Sequence, residues 1–288
     1  MESYLILGNQ HHRRNTMLAY YNRFVFVLLI TLWLVSASNA QDLPVVKPES
    51  VGFSSERLQR LTSTFEEYAA EKKMAGSVIL IARHGKVAYF NSFGKRDVES
   101  GAAMQNDVIF RIASQTKALT SVGIMILQED GKLLISDPVS KYLPEFKETT
   151  VAEPKEGGGY NVVKAKRQIT IRDLLTHTAG ISYGNGPAAD KWKEAGFQGW
   201  YFADRDEPIA TSISRMATLP MDAHPGEKYI YGYNTDILGA VIEKASGKSL
   251  DEFFTSRILA PLGMKDTHFY LPENKTARLA ATYSAYPD

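Results

Sequence analysis

Residues 110–129 read FRIASQTKALTSVGIMILQE, and this stretch contains the pattern that decides the fold. Apolar residues recur at helical spacing after Ser114, so the sequence predicts a helix from Ser114 to Glu129 with one buried face. Lys117 follows Ser114 by three positions. Because residues i and i+3 share a helix face, the Lys117 amine is expected to approach the Ser114 hydroxyl.

A serine beside a lysine at a helix start is a known arrangement for acyl transfer. A serine hydroxyl is a weak nucleophile until a base takes its proton. Lys117 is expected to act as that base if burial and the positive end of the helix dipole lower its pKa. The same helix end offers backbone N–H groups to a developing oxyanion. The pattern therefore favours Ser114 as nucleophile and Lys117 as general base or proton relay.

The tetrapeptide S-x-x-K is weak evidence by itself. One alternative is that Ser114 is an ordinary helix N-cap and that Lys117 is simply exposed to solvent. A second copy, Ser92–Lys95 (SFGK), lies at the end of a predicted strand and contains glycine. The i, i+3 geometry fails there, so we assign that copy no role.

The surrounding sequence alternates helical and strand patterns. Runs rich in β-branched and aromatic residues on either side of a short Gly-containing turn predict a hairpin. The stretches 147–168 and 182–206 are rich in glycine and charge, so both are predicted to be long loops. The predicted elements are a helix at 54–73, a hairpin of strands 77–82 and 87–93, a short helix at 170–176, and helices at 235–245 and 250–258.

Composition excludes several kinds of chemistry. The 288 residues contain no cysteine, which removes thiolate nucleophiles, disulfides and sulfur-ligated metals. The six histidines form no metal-binding pattern, so we expect no metal and no organic cofactor. A net charge of +1 without a basic stripe makes nucleic acid an unsuitable partner.

The N-terminus has the pattern of a secretory signal peptide. Arginines precede the apolar run at 24–37, and a small-x-Ala sequence ends at Ala40. We therefore predict a signal peptide at 1–40 that is cleaved after Ala40, with Met17 as a possible true start. The mature protein would be periplasmic or secreted, without a stable membrane anchor. An uncleaved anchor is the alternative, although the run is short for a membrane span.

Several separated motifs together resemble the serine β-lactamase superfamily, especially class C-type β-lactamases, DD-peptidases and family VIII carboxylesterases. The resemblance implies an α+β fold of the beta-lactamase/transpeptidase-like type, with an antiparallel sheet flanked by helices and an all-helical lobe. It also implies that Ser114 is the nucleophile. The motifs are FRIASQTK at 110–117, ITIRDLLTHTAG at 169–180, PGE at 225–227, TDILGAVIE at 235–243 and ILAPLGMKDT at 258–267.

The resemblance also implies a catalytic tyrosine. Counting back from Asp236 and forward from Pro225 both select Tyr231, which would act with Lys117 as general base and acid. Tyr233 is the runner-up and a candidate substrate-binding residue. It stands where β-lactamases usually have an amide, and this departure favours an esterase. The alternative is that these tyrosines form an aromatic core cluster. His177 is expected to be a structural residue near the site.

The family's third motif, a Gly-containing strand sequence, has no credible copy after Tyr231. We therefore expect the domain at 41–288 to be incomplete at its C-terminus, with strands of the sheet missing. The expected function is hydrolysis through an acyl-serine intermediate. Expected substrates are small esters first, then amides such as peptidoglycan-type D-peptides, then β-lactams. The alternative is a non-catalytic, penicillin-binding-like protein that binds cell-wall or other ligands.

Overall fold

The computed structural model describes residues 43–197 and 207–284. These residues belong to one unit, Asp42–Asp288. The predicted signal peptide lies outside the described residues, as does part of the predicted loop at 182–206. No helix in the described ranges has the length and apolar character needed to cross a membrane.

A helix and a hairpin form the N-terminal layer. Helix α1 (Ser55–Ala70) begins after Ser54, whose hydroxyl accepts a hydrogen bond from a backbone N–H of the first turn. Strands β1 (Gly76–Arg83) and β2 (Lys86–Gly94) pair antiparallel. The Phe65 ring of α1 packs 5.6 Å from that of Phe93 on β2. The predicted helix and hairpin are both confirmed.

Three helices carry the core beneath the functional site. They are α2 (Thr116–Glu129), α6 (Asn234–Ser246) and α7 (Leu250–Phe254), the last continuing as a π-helical turn, Thr255–Leu259. Ile124 of α2, Ile242 of α6 and Phe253 of α7 are almost fully buried. Gly123 lets these helices approach closely, since a Cβ there would lie 3.0 Å from the Ile242 Cδ1 atom.

The predicted start of α2 at Ser114 was wrong. Residues Ala113–Gln115 form a 3-10 turn, and the α-helix begins at Thr116. Ala113 has a left-handed backbone, with φ of +42°. An L-residue adopts this conformation at a cost, so the chain changes direction immediately before Ser114 instead of entering the helix smoothly.

A second hairpin occupies most of the stretch 147–168, which the sequence analysis predicted as a loop. Strands β3 (Thr150–Pro154) and β4 (Tyr160–Lys164) pair antiparallel in full register. All three glycines at 157–159 have positive φ and form the turn. Val151 is buried and bridges to Met221. The loop prediction was wrong because the charged residues of this hairpin conceal a short alternating pattern.

Short helices complete the wall around the site. They are α3 (Ile171–Leu175), α4 (Ala189–Glu194) and α5 (Ile209–Met216). Helix α3 begins with a capping box in which Thr170 and Asp173 exchange hydrogen bonds. Arg167 donates two further hydrogen bonds to the buried Asp173 carboxylate, at 2.6 and 2.8 Å. Further 3-10 turns lie at Pro48–Val51, Val139–Lys141, Pro144–Lys147 and Glu273–Arg278.

Antiparallel strands and segregated helices make the fold α+β, as the sequence predicted. In the described residues the strands form two separate two-stranded sheets. The face of the first hairpin opposite α1 carries the cross-strand pair Leu80 and Phe90, and both side chains are exposed.

Gly123→Val is expected to destabilise the protein by about 1–3 kcal/mol, because its side chain would overfill the contact between α2, α6 and α7. Urea unfolding of the purified protein measures the change. Val122→Ala is the matched control, because the Val122 side chain is about half exposed on the same helix. We expect the control to stay within about 0.5 kcal/mol of wild type. Equal stability of wild type and Gly123→Val would contradict the packing described above.

Candidate active site

The structure brings Ser114, Lys117 and Tyr231 together. The Lys117 ammonium donates a hydrogen bond to Ser114 Oγ at 3.2 Å, and the Tyr231 hydroxyl lies 2.8 Å from the same oxygen. The Lys117 Nζ atom also lies over the Tyr231 ring, 4.8 Å from its centroid. Residues 117 positions apart in the sequence thus meet at a single hydroxyl. The geometry therefore allows direct proton exchange between the serine and the phenol.

The charge state of Lys117 differs from the expectation. Burial lowers the pKa of Lys117, but hydrogen bonding and charge interactions with the phenols of Tyr231 and Tyr183 outweigh it and leave the pKa raised. The condition on which Lys117 would act as the base, a lowered pKa, is therefore not met. A lysine with a raised pKa stays protonated at neutral pH and serves as a cation beside the serine.

Tyr231 shows the opposite shift. The hydrogen bond with Lys117, followed by the one with Ser114, lowers the pKa of the Tyr231 phenol. Nearby positive charge stabilises a phenolate, which is the form that accepts a proton. In this arrangement the phenol, rather than the amine, is the better candidate for the general base.

The segment around Tyr231 is held against the chain after α3. Gly232 packs so closely that a Cβ there would overlap the carbonyl oxygen of Ile181. The Ile230 N–H donates to the His177 carbonyl at 2.7 Å. The buried Asn234 amide donates to the carbonyls of Ile181 and Ile230. Backbone contacts on both sides therefore fix the position of Tyr231.

His177 supports the same tyrosine through its ring. The imidazole lies 4.8 Å from the Tyr231 ring and shares a hydrogen bond between its Nδ1 atom and the Asn234 amide. Burial, and secondarily the charge of Lys117, lower the pKa of His177, so the ring stays neutral. The neutral ring packs beneath the phenol, in keeping with the structural role expected for it.

The other tyrosines lie in different surroundings. Tyr233 is buried and stacks on Trp192, with its ring edge-on to Tyr183. It also lines the cavity beside the nucleophile. Tyr229 is about two-thirds exposed. Its ring makes only a tilted contact with His177, at 5.8 Å.

A cavity of about 340 Å³ opens beside Ser114 and Lys117. Its apolar wall includes Ile209, Leu250 and Phe269. Asp236, in the first turn of α6, lies in the same cavity. Burial raises the pKa of the Asp236 carboxyl to about 6, against a smaller opposing effect of Lys117.

The sequence analysis used Asp236 only as a counting landmark and missed it as a site residue. An acidic residue immediately before the apolar run at 237–242 was the available signal. Within the described ranges, no cluster of three or more His, Asp or Glu residues could hold a metal ion.

Comparison with known proteins places this geometry in a family context. The profile of the Beta-lactamase family matches residues 61–288. The chain is 32% identical to Esterase EstB from Burkholderia gladioli over 228 residues, which are 78% of this chain and 54% of EstB. It is 30% identical to Penicillin-binding protein 4* from Bacillus subtilis, over 73% of this chain and 41% of that protein.

A solved structure shows the same arrangement of elements. EstCE1, described as a hydrolase with promiscuous acyltransferase activity, matches with a TM-score of 0.67 and 30% identity. The match covers 81% of this chain and 59% of EstCE1. The chain thus spans about half the length of the curated relatives that it matches.

Asp236→Asn is expected to raise stability at neutral pH. The folded-state pKa lies above the unfolded value, so the folded protein binds the proton more tightly and stability falls as pH rises from about 4 to 6. Replacing the carboxyl removes that loss, and we expect a gain of about 1–3 kcal/mol at pH 7.5. Thermal unfolding of wild type and of Asp236→Asn, each at pH 4 and at pH 7.5, measures the effect. If the stability difference between Asp236→Asn and wild type is the same at pH 7.5 and at pH 4, ionisation of the Asp236 carboxyl does not destabilise the folded protein, and the prediction fails.

Proposed function

The chain belongs to the Beta-lactamase family and has the beta-lactamase/transpeptidase-like fold, and from this premise we propose that it is a serine hydrolase in which Ser114 forms an acyl intermediate. The observation that carries the proposal is the convergence of Lys117 and Tyr231 on the Ser114 oxygen, at 3.2 and 2.8 Å. A nucleophile, a base and a fixed cation at hydrogen-bonding distance make up the machinery that acyl transfer needs.

The chemistry follows from the charges of the three groups. The Tyr231 phenolate, stabilised by Lys117, takes the Ser114 proton as Oγ attacks the carbonyl carbon of the substrate. The bond to the leaving alcohol then breaks, and Tyr231 returns the proton to the alcohol oxygen. In the second half, water gives one proton to Tyr231 as its oxygen attacks the acyl carbon. The bond between that carbon and Ser114 Oγ then breaks, and Tyr231 returns the proton to Oγ. Lys117 keeps its proton throughout and balances the negative charge.

Short-chain esters are the substrates we propose first. Tyr233, which replaces the amide usual in β-lactamases, is buried in an aromatic cluster, and this favours an acyl group that needs no amide grip. The esterase relative EstB and the hydrolase EstCE1 agree with this choice. Peptidoglycan-type amides rank second, because Penicillin-binding protein 4* is also similar, and β-lactams rank third. We further propose export, on the basis of the predicted signal peptide.

Tyr231→Phe is expected to lower kcat/KM for p-nitrophenyl butanoate by about 10²–10⁴-fold, because the general base is lost. Steady-state kinetics on the purified protein measure the change. Tyr229→Phe is the matched control, since Tyr229 is a neighbouring, exposed phenol. We expect the control to retain wild-type activity. Comparable losses in both variants would argue against a specific role for Tyr231.

Ser114→Ala is expected to abolish labelling by a fluorophosphonate probe, because the probe reacts with an activated serine. Intact-mass spectrometry measures the adduct. Wild-type protein that folds cooperatively and yet takes up no probe would refute the hydrolase proposal and support the non-catalytic binder.

The pH dependence of fluorophosphonate labelling tests whether Tyr231 is the base and Lys117 the cation that lowers its pKa. The reactive form has Tyr231 ionised, so the labelling rate should rise with pH through a pKa below the usual value of 10. Lys117→Met removes the group that contributes most to this lowering. We therefore expect the rising limb to move to higher pH in the variant. A limb that stays in place would show that the phenol does not depend on Lys117.

A further inference from the structure

The Asp236 carboxylate forms no ion pair with another residue in the described ranges. Burial raises its pKa, whereas the positive charge of Lys117 and its own backbone N–H lower the pKa by less. The Asp236 side chain is partly buried and lines the cavity that contains Ser114. A carboxylate that lines a cavity and has no ion pair is available to a ligand of opposite charge.

We propose that Asp236 binds an ammonium group on the acyl part of the substrate, which makes esters of short amino acids a substrate class of this site. This inference rests on the proposed function and deepens it. An ammonium can donate three hydrogen bonds, and its positive charge would pair with the negative charge of the carboxylate. The hydroxyls of Thr120 and Thr235 line the same cavity and can accept the remaining N–H groups.

Lys117 does not neutralise Asp236. Its ammonium is engaged with Ser114 Oγ at 3.2 Å and with the Tyr231 ring at 4.8 Å. The structure shows no ion pair between Lys117 and Asp236 within 4.0 Å. When Tyr231 is the phenolate, Lys117 and Tyr231 together are neutral. The reactive form of the site therefore carries one net negative charge, on Asp236.

The cavity offers apolar walls to a short acyl chain. Leu250 and Phe269 present apolar surface to the methylene groups of such a chain. Leu250 packs closely against Gly239, since a Cβ there would lie 3.2 Å from the Leu250 Cδ2 atom. The cavity would therefore place the substrate carbonyl at Ser114, a short apolar linker against the apolar walls, and the ammonium at Asp236.

The test compares two acyl groups of equal shape. The 3-aminopropanoyl group differs from butanoyl only by an ammonium in place of the terminal methyl. We measure kcat/KM for the two p-nitrophenyl esters at pH 7.5, each corrected for spontaneous hydrolysis, and take their ratio. Asp236→Asn should lower the ratio of aminopropanoyl to butanoyl by about 10-fold or more, as expected for a lost charge-assisted hydrogen bond.

Asp251→Asn is the matched control, because Asp251 is exposed in the first turn of α7 and lines no part of the cavity. The control should keep the wild-type ratio. Asp236→Glu retains the charge and should recover part of the preference. In wild type the ratio should rise between pH 5 and 7, as the carboxyl ionises, whereas Asp236→Asn should show no such rise. An unchanged ratio in Asp236→Asn would overturn the proposal.

A binding arm separates this inference from the proposed hydrolysis. Calorimetry with 3-aminopropanamide and butanamide measures the preference in Ser114→Ala and in Ser114→Ala/Asp236→Asn, where no turnover can occur. Tighter binding of the ammonium compound that disappears with Asp236 supports the inference, even if the wild type hydrolyses neither ester. Equal binding of the two amides in Ser114→Ala would overturn it.

Discussion

The contact between the Tyr231 hydroxyl and Ser114 Oγ, at 2.8 Å, is the constraint on which the rest of the structure depends. Ser114 is placed by the start of α2, and Tyr231 is placed by the segment that leads into α6. The contact therefore survives only if those two helices keep their separation. Gly123 sets that separation through its close packing on α6, and Gly232 presses the tyrosine segment onto the neighbouring chain. The close packing of the core helices is thus also what keeps Ser114 and Tyr231 within hydrogen-bonding distance.

Charge compensation explains why Lys117 remains a cation and Tyr231 becomes acidic. An ammonium and a phenol in a partly dry site stabilise each other's charged form more than burial penalises either. His177 contributes by remaining neutral under the phenol, since a second cation there would raise the cost of keeping Lys117 protonated. Asp236 differs because it forms no ion pair in the described residues, and because burial penalises its negative charge more than Lys117 stabilises it. The site therefore contains one satisfied charge pair and one unsatisfied charge.

The sequence analysis predicted correctly those features that depend on residues close together in the chain. The i, i+3 spacing placed Lys117 at Ser114, and two motif distances in the chain selected Tyr231, because both relations are fixed within single segments. The hairpin of β3 and β4 was missed because Val151 is buried by a contact with Met221, which is 70 residues away. The direction of the Lys117 pKa shift and the isolation of Asp236 depend on phenols and cavity walls from three different elements. Such relations have no signature in the spacing of residues.

The start of α2 shows what the arrangement costs. A serine at a helix start normally caps it, a contribution of about 1 kcal/mol. Neither Ser114 nor Gln115 provides a side-chain cap here, and Ala113 adopts a left-handed backbone that costs about 1–3 kcal/mol. A capping Ser114 would direct its oxygen at backbone N–H groups of the helix. Because the strained turn withholds Ser114 from that role, its oxygen stays available to Lys117 and Tyr231. The helix is therefore less stable at Ser114, the residue whose hydroxyl must remain free. Asp236, in the cavity beside it, is likewise less stable without an ion pair but is available to a ligand.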